Sequence, residues 1–184
     1  MPTDYWDKGE ALERYVGRWS RLVAREFVMW LGLPDGAIWI DVGCGPGALT
    51  ETILAAAAPK MVVGIDSSES YVAFAKSHIQ DTRATFRVGT ALALNDRDAR
   101  YDGAVAGLVL NFVSADKAIA EMSRVTRPGG KVGAYVWDYA DGMGLMRRFS
   151  DAAVALDPAA TDLDEGQRFP ICQPKLLPQR FVTS

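Results

Sequence analysis

The feature that most constrains this chain is the segment DVGCGPG at residues 41–47, in which three glycines at alternate positions follow a carboxylate. The apolar run AIWIDV (37–42) leads into this segment, and the helix-forming run ALTETILAAAA (48–58) follows it. A short apolar run is typical of a buried strand, and a helix that begins after a glycine turn presents backbone N–H groups at its positive end. The sequence therefore predicts a strand, a ligand-binding turn and a helix.

The rest of the chain repeats this alternation of strands and helices. Further strands are predicted at MVVGID (61–66), at residues 84–88, at DGAVAGLVL (102–110) and at KVGAYVWDY (131–139). Helices are predicted after SSES (67–70) through Ile79, around 118–125 before RPGG (127–130), and over 145–156. Such alternation favours a parallel sheet covered on both faces. We predict an α/β, Rossmann-like doubly wound fold with a mostly parallel sheet of about five strands flanked by helices.

Composition narrows the classes of partner. A net charge of −3 in 184 residues argues against a general nucleic-acid surface or an anionic membrane surface, because both require excess positive charge. The apolar runs are too short to span a bilayer, and MPTDYWDKGE at the N-terminus does not resemble a secretory signal. One histidine and two distant cysteines, Cys44 and Cys172, predict no metal site and favour a cytoplasmic location.

Two carboxylates sharpen the interpretation of the glycine turn. Asp66 ends the second predicted strand, 21 residues after Gly45, where a carboxylate can accept both hydroxyls of a ribose. Asp41 lies two residues before Gly43, where its charge would repel a pyrophosphate but attract an ammonium group. A ligand with a ribose and an amino group but no phosphate fits this pattern, and S-adenosyl-L-methionine has these groups.

Several segments together carry a resemblance to a known family. DVGCGPG (41–47), GID (64–66), YDGAVAGLVLNFV (101–113) and RPGG (127–130) stand in an order and spacing that resemble the class I S-adenosylmethionine-dependent methyltransferases. The resemblance covers about residues 10–157 and is nearest to the small-molecule branch that includes ubiquinone and menaquinone biosynthesis enzymes. It implies S-adenosylmethionine-dependent methyl transfer to a small-molecule acceptor.

The resemblance also assigns a cofactor site. The first motif would wrap the methionine moiety, the segment after the second strand would hold the ribose, and two residues after the third strand would contact the adenine. The end of the fourth strand would border the transferred methyl group. The residues so assigned are Asp41, Val42, Gly43, Cys44, Gly45 and Gly47, then Asp66 and Ser67, then Thr90 and Ala91, and finally Gly107 and Leu108. The family often has an acidic residue where this chain has Thr90.

The C-terminal part departs from the family pattern. Residues 1–184 are interpreted as one methyltransferase domain, with a capping helix at 10–31, a cofactor-binding core at 37–139, and a helix and irregular tail at 140–184. Four prolines from residue 158 onward argue against a long helix or a central strand, although a short helix is predicted around 175–177. The chain is therefore expected to lack the family's C-terminal strand hairpin. An exposed sheet edge would remain, and a homodimer could form through it.

No catalytic residue can be assigned from the sequence. The electrophile of a methyl transfer belongs to the cofactor, so the protein mainly aligns the reactants, and a general base is needed only for a protonated acceptor. The weak candidates are Asp138, Asn111 and Tyr15, in segments that would cap the cofactor, whereas His78 ends a helix far from the strand tips.

Two alternatives remain open. The glycine turn with Ala48 also satisfies G-x-G-x-x-G/A, the pattern of an NAD(P)-dependent oxidoreductase, although no Tyr-x-x-x-Lys pair is recognisable. A cofactor-binding protein without enzymatic activity is the second alternative, because the C-terminal part is altered. A P-loop ATPase is excluded, since no lysine follows the glycines.

Overall fold

A computed structural model describes residues 18–173 and 175–182 of the chain. The elements in chain order are α1 (Arg18–Leu31), β1 (Ile38–Val42), α2 (Ala48–Ala56), β2 (Met61–Asp66), α3 (Glu69–His78), β3 (Ala84–Val88), β4 (Tyr101–Gly107), α4 (Ala115–Val125), β5 (Thr126–Tyr135), α5 (Gly144–Leu156), a 3₁₀ helix (Pro158–Leu163), α6 (Glu165–Arg168), a second 3₁₀ helix (Pro170–Cys172) and α7 (Leu176–Val182). The part of the predicted capping helix that precedes Arg18 lies outside the described residues.

The five strands form one sheet in the order β3-β2-β1-β4-β5, and every pairing in it is parallel. The prediction of a doubly wound parallel sheet of about five strands is therefore confirmed. Successive strands build outward from β1 in one direction through β2 and β3, and in the other direction through β4 and β5. Ligands of such sheets bind outside the carboxyl ends of the strands, at the point where the strand order reverses. In this chain that point lies between β1 and β4.

Side-chain alternation along β1 divides the hydrophobic core between the two faces of the sheet. Trp39 belongs to a cluster with Phe27 of α1 and Ile53 of α2. Its neighbour Ile40 belongs to a second cluster with Ile119 of α4. The central strand is thus buried on both faces, which explains why its sequence is almost continuously apolar.

The last strand differs from the prediction in both its start and its end. β5 begins at Thr126 and ends at Tyr135, so it includes RPGG, which was expected to precede the strand. Pairing with β4 shifts from Tyr101↔Thr126 to Gly103↔Lys131, which makes RPGG an irregular bulge within β5. An ion pair between Arg127 and Asp102 of β4 bridges this bulge. β4 likewise ends at Gly107, three residues earlier than expected.

The tail is more regular than the prediction of an irregular segment with one short helix. Two prolines, Pro158 and Pro170, begin 3₁₀ helices, where the fixed φ of proline is favourable. Arg147 of α5 donates two hydrogen bonds to the buried Asp164 carboxylate, at 2.9 and 2.6 Å, and so ties the tail to α5. No strand follows β5 in the described part of the chain.

The free edge of β5 lies beside a groove of about 300 Å³. Val136, Cys172 and Leu177 line it, together with polar groups that include Asp138. Leu177 also packs against the core cluster that contains α4. The C-terminal segment of the chain therefore approaches this edge without pairing with it.

Candidate functional site

The glycine turn closes onto the end of β2. Gly43 N and Cys44 N both donate to the carbonyl oxygen of Ile65, at 2.7 and 2.9 Å, and Gly45 N donates to Asp66 Oδ2 at 2.9 Å. Gly43, Gly45 and Gly47 all have positive φ, of 74°, 53° and 103°, a region that favours glycine. The first three N–H groups of the turn therefore point into the protein, towards β2.

Gly43 and Gly107 leave no room for a side chain. A Cβ on Gly43 would lie 2.3 Å from a methyl carbon of Val109, and a Cβ on Gly107 would lie 2.6 Å from Tyr135 Oη. The loop that follows β1 therefore packs directly on the loop that follows β4. Tyr135 occupies the space beside Gly107, and burial raises the pKa of its hydroxyl to about 12.

Asp41 lies beneath the turn and is fully buried. Thr50 Oγ1 donates to Asp41 Oδ2 at 2.7 Å, while Oδ1 has no hydrogen-bond partner among the described residues. Burial raises the pKa of this carboxyl to about 7, the Thr50 hydrogen bond opposes that rise, and the charge of Asp66 adds to it. A buried carboxylate oxygen without a partner is costly, so this group favours a positive charge nearby.

Asp66 is half-buried at the carboxyl end of β2. Its Oδ2 accepts from Gly45 N and its Oδ1 accepts from Ser68 N, each at 2.9 Å. A carboxylate oxygen can accept two hydrogen bonds, so each oxygen retains capacity for a ligand hydroxyl. The neighbouring Ser67 is exposed.

The remaining residues assigned to the cofactor follow β3 and β4. Thr90 is exposed, and its hydroxyl accepts from Leu92 N at 3.2 Å, while Ala91 packs against the core. Leu108 has a φ of +62°, which is rare outside glycine, and its N–H donates to Tyr135 O at 2.8 Å. Because the strands are parallel, these residues lie at the same edge of the sheet as the glycine turn.

The weak catalytic candidates have different surroundings. Asn111 is buried and forms two hydrogen bonds with the backbone of Trp137, accepting from its N–H at 3.2 Å and donating to its carbonyl at 3.3 Å. Asp138 accepts from Asp141 N at 2.9 Å and so stabilises the turn after β5. Asn111 therefore acts as a brace between the loops that follow β4 and β5. Tyr15 lies outside the described residues.

Aromatic side chains stand at this same edge, and we call Phe112, Trp137, Tyr139 and Phe169 the aromatic cluster. The Phe112 and Phe169 rings pack edge to face with centroids 5.3 Å apart. Tyr139 lies 6.1 Å from Phe169 and 6.4 Å from Trp137, again between ring centroids. The cluster joins the loops after β4 and β5 to the tail, which supplies Phe169.

Three residues that shape the site were not predicted from the sequence. Thr50 could have been suspected, because it is a polar residue in the first turn of an apolar helix; the structure shows that it is fully buried. Tyr135 and Phe169 depend on contacts between distant segments, and no local pattern indicates them. His78, which was expected to be remote from the site, stacks on Phe74 at the end of α3.

Residues 18–173 and 175–182 contain no candidate for a membrane-spanning helix or for a metal site. No helix there is both long and apolar enough to cross a membrane. No group of three or more histidine, cysteine or acidic side chains there could hold a metal ion.

Comparison with known proteins gives a consistent family. Residues 40–130 match a family described as a methyltransferase domain. The chain is 31% identical over 122 residues to a demethylmenaquinone methyltransferase of Symbiobacterium thermophilum, a match that covers 63% of this chain and 48% of that protein. The chain thus spans about half the length of that curated relative.

Solved structures share the fold. One is a S-adenosyl-L-methionine-dependent methyltransferase, described as putative, of Methanococcus maripaludis, with a TM-score of 0.64 and 16% identity over 89% of this chain and 78% of that one. Another is the [4+2]-cyclase SpnF, with a TM-score of 0.56 and 31% identity over 62% of this chain and 44% of that one.

The contact between the two loops can be measured with a matched pair of substitutions. Gly36 and Gly43 have almost the same φ, 78° and 74°, but only at Gly43 would a Cβ meet other atoms. Gly36→Ala should lower the free energy of unfolding by about 1 to 2 kcal/mol, the cost of a left-handed alanine. Gly43→Ala should cost about 1 to 3 kcal/mol more, because it also overpacks Val109. Urea unfolding measures both, and equal losses would contradict the close approach of the loops.

Asp41 should make the folded state less stable as the pH rises. Its pKa is about 7 in the folded protein and 3.8 without burial, so between these values the folded state retains a proton that the unfolded state has released. The free energy of unfolding should then fall by up to about 1.4 kcal/mol per pH unit across this range. Asp41→Asn removes the ionisation, so the difference in stability between wild type and variant should change with pH from about 4 to 7. A difference that stays constant would show that Asp41 ionises normally.

Proposed function

Because the chain belongs to the S-adenosylmethionine-dependent methyltransferase family, we propose that it binds S-adenosyl-L-methionine and transfers the methyl group to a small-molecule acceptor. Residues 37–139 are proposed as the cofactor-binding core of a single domain. Since the chain spans about half of its curated relative, the activity is proposed for this core and for the loops and tail that surround it.

The observation that carries the proposal is the direction of the hydrogen bonds in the glycine turn. A pyrophosphate needs N–H groups that point outward, but Gly43, Cys44 and Gly45 donate theirs to Ile65 and Asp66. Asp41 lies beneath the turn and has an oxygen without a partner among the described residues. This combination favours a ligand end that is cationic over one that is a phosphate.

The residues fit the two ends of this cofactor. Asp66 has hydrogen-bonding capacity for ribose hydroxyls, and Thr90 offers a hydroxyl for the adenine. The turn from Asp41 to Gly47, with Gly107 and Leu108 opposite, would hold the amino-acid end. Asp41 is buried, so its contribution is the attraction of its charge rather than direct contact.

The aromatic cluster supports a planar, largely apolar acceptor. Phe112 is exposed at this edge, and Phe169 and Tyr139 extend the aromatic surface beside it. Aromatic faces bind flat rings by stacking, and they exclude water from a reacting group. The demethylmenaquinone acceptor in the name of the Symbiobacterium relative agrees with this class.

The bound cofactor supplies an electrophilic methyl group, and the protein supplies alignment. Asn111 fixes the loops after β4 and β5 relative to each other, which positions the aromatic cluster over the sheet edge. Asp138 follows β5 on the same side and is the residue we propose as a base for an acceptor that must lose a proton. Its second carboxylate oxygen is available for that task when Oδ1 accepts from Asp141 N.

A second candidate function is cofactor binding without methyl transfer. SpnF has the same fold and 31% identity but is described as a [4+2]-cyclase, so the fold can serve another reaction. The NAD(P)-dependent oxidoreductase alternative is disfavoured by the inward N–H groups of the turn. We further propose a cytoplasmic location, because Cys44 and Cys172 are both free and buried.

Calorimetry with the purified chain should separate these functions. S-adenosylhomocysteine should bind and NADH should not. Methylthioadenosine, which lacks the amino-acid end, should bind at least about tenfold more weakly than S-adenosylhomocysteine, a difference of about 1.4 kcal/mol. Asp41→Asn should remove most of that difference, because the variant cannot supply negative charge to the ammonium group. Binding of NADH alone would overturn the proposal.

The acceptor class can be tested with S-adenosylmethionine and a panel of small acceptors. Methyl transfer to a naphthoquinol should exceed transfer to an aliphatic carboxylic acid. Phe169→Leu should raise the KM for the naphthoquinol by about fivefold, because it removes one stacking partner worth about 1 kcal/mol. The exposed Leu163→Ala serves as a control in the same tail. Cofactor binding with no transfer to any acceptor would favour the second candidate function.

A further inference from the structure

The connection between β3 and β4 contains no helix. It covers residues 89–100, all of which the structure describes, and no helix or strand stands between β3 and β4 in the chain order. A crossover between parallel strands usually contains a helix, which pairs its own backbone groups. The backbone of this connection must therefore find other partners. The connection also carries Thr90 and Ala91, the two residues assigned to the adenine, so its partners bear on the cofactor site.

Two charged side chains of α4 bind the backbone of this connection. Glu121 Oε2 accepts from Leu94 N at 2.6 Å, and Arg124 Nη2 donates to Leu94 O at 2.7 Å. Arg124 Nη1 also donates to Asp96 O at 2.8 Å. The two side chains are joined to each other, because Arg124 Nε and Nη2 donate to the Glu121 carboxylate, each at 2.8 Å. We call Glu121 and Arg124 the α4 clamp.

Each member of the α4 clamp favours the charged form of the other. Hydrogen bonds from Arg124 lower the pKa of the Glu121 carboxyl, burial opposes this change, and the N–H of Leu94 adds to it. The Glu121 carboxylate in turn raises the pKa of the Arg124 guanidinium, with a further contribution from Asp98. Hydrogen bonds with an ionised partner are roughly twice as strong as neutral ones. The clamp therefore holds the Leu94 backbone more firmly than a neutral pair of side chains would.

The segment from Gly89 to Leu94 is held at both ends. Gly89 N donates to Asp66 O at 2.9 Å, which ties the start of the segment to the residue proposed for the ribose. Leu94 is buried, and both of its backbone polar groups are bound by the α4 clamp. Between these ends, Thr90 Oγ1 accepts from Leu92 N at 3.2 Å. The exposed Thr90 thus belongs to a turn whose far end is fixed by α4.

We propose that the α4 clamp positions the connection after β3 so that Thr90 contacts the adenine of the cofactor. This inference rests on the proposed function, because it takes S-adenosyl-L-methionine as the ligand. Glu121 and Arg124 bind the backbone of the connection, so they are positioning residues that act through Thr90. Without the clamp, the connection must be ordered when the base binds, and that ordering weakens binding. The ribose and amino-acid ends are proposed to lie on β1 and β2, and their binding does not depend on the clamp.

Calorimetry of the full chain with two ligands tests this proposal. S-adenosylhomocysteine contains the adenine, whereas S-ribosylhomocysteine has the ribose and the amino-acid end but no base. Arg124→Gln should weaken binding of S-adenosylhomocysteine at least about tenfold, because hydrogen bonds from a charged group are lost. The same substitution should change binding of S-ribosylhomocysteine by less than about twofold, because this ligand does not use the connection.

Arg83→Gln is the matched control. Arg83 is also half-buried, pairs with Asp81 and donates to Leu54 O at 3.3 Å, but it lies at the opposite end of β3 from Thr90. Its substitution removes an ion pair and a backbone contact, as Arg124→Gln does. The affinities for both ligands should therefore remain those of the wild type.

Further variants separate positioning from a general loss of structure. Glu121→Gln keeps an oxygen that can accept from Leu94 N, so it should bind S-adenosylhomocysteine within about threefold of the wild type. Glu121→Ala should resemble Arg124→Gln. In a Thr90→Val background, Arg124→Gln should weaken binding less than it does alone, because the side chain that it positions is already absent. Urea unfolding should show that each variant is folded during the titration, and the two Glu121 variants decide the test if Arg124→Gln does not fold.

The outcomes distinguish the clamp from the cofactor site itself. An equal loss of affinity for both ligands overturns the inference, because it shows that the clamp supports the whole site rather than the base. Unchanged affinity for S-adenosylhomocysteine in Arg124→Gln or in Glu121→Ala also overturns it. A wild-type chain that does not bind S-adenosylhomocysteine overturns the proposed function together with this inference. A wild-type chain that binds it, with variants that behave in either of the first two ways, overturns this inference alone.

Discussion

The hydrogen bonds from the glycine turn to β2 are the interactions on which the candidate site depends. The carbonyl of Ile65 accepts from two consecutive N–H groups, and Asp66 accepts from the third. These bonds can form only if the turn adopts the left-handed conformations that its glycines allow. The same bonds fix the position of the Asp66 carboxylate and the direction in which α2 leaves the turn. The glycine turn, the Asp66 carboxylate and the start of α2 are thus one structural unit.

The burial of Asp41 lowers the stability of this unit. Its carboxyl is fully buried, has one oxygen without a partner among the described residues, and is stabilised by a single donor, Thr50. An apolar residue of similar size would remove the desolvation cost, so the carboxylate is better explained by its charge than by packing. Under the proposed function, the folded state gives up stability for ligand binding, and violations of local rules of this kind are expected at functional sites.

Whether a feature could be predicted from the sequence depends on how far apart along the chain the residues that form it lie. The strand–turn–helix unit and the carboxylate at the end of β2 come from contiguous residues, and local periodicity was enough to predict them. The prediction placed RPGG before the strand, because proline and glycine after a helical segment are typical of a helix stop. In the structure RPGG is a bulge within β5, and that bulge is set by pairing with β4 across the sheet. The contacts of Tyr135 with Gly107 and of Phe169 with Phe112 join distant segments, so a single sequence contains no local signal for them.

How much function can be inferred for this chain from the family match depends on which residues the match covers. The match to the methyltransferase domain covers 40–130, which includes the glycine turn, Asp66 and the end of β4. Trp137, Tyr139 and Phe169 lie beyond that range. The family match therefore covers most of the residues that we propose for the cofactor, whereas three of the four members of the aromatic cluster lie outside it. Under the proposed function, the sheet and the glycine turn would hold the methyl donor, and the loops and tail would select the acceptor, because function in such folds depends on the loops rather than on the scaffold.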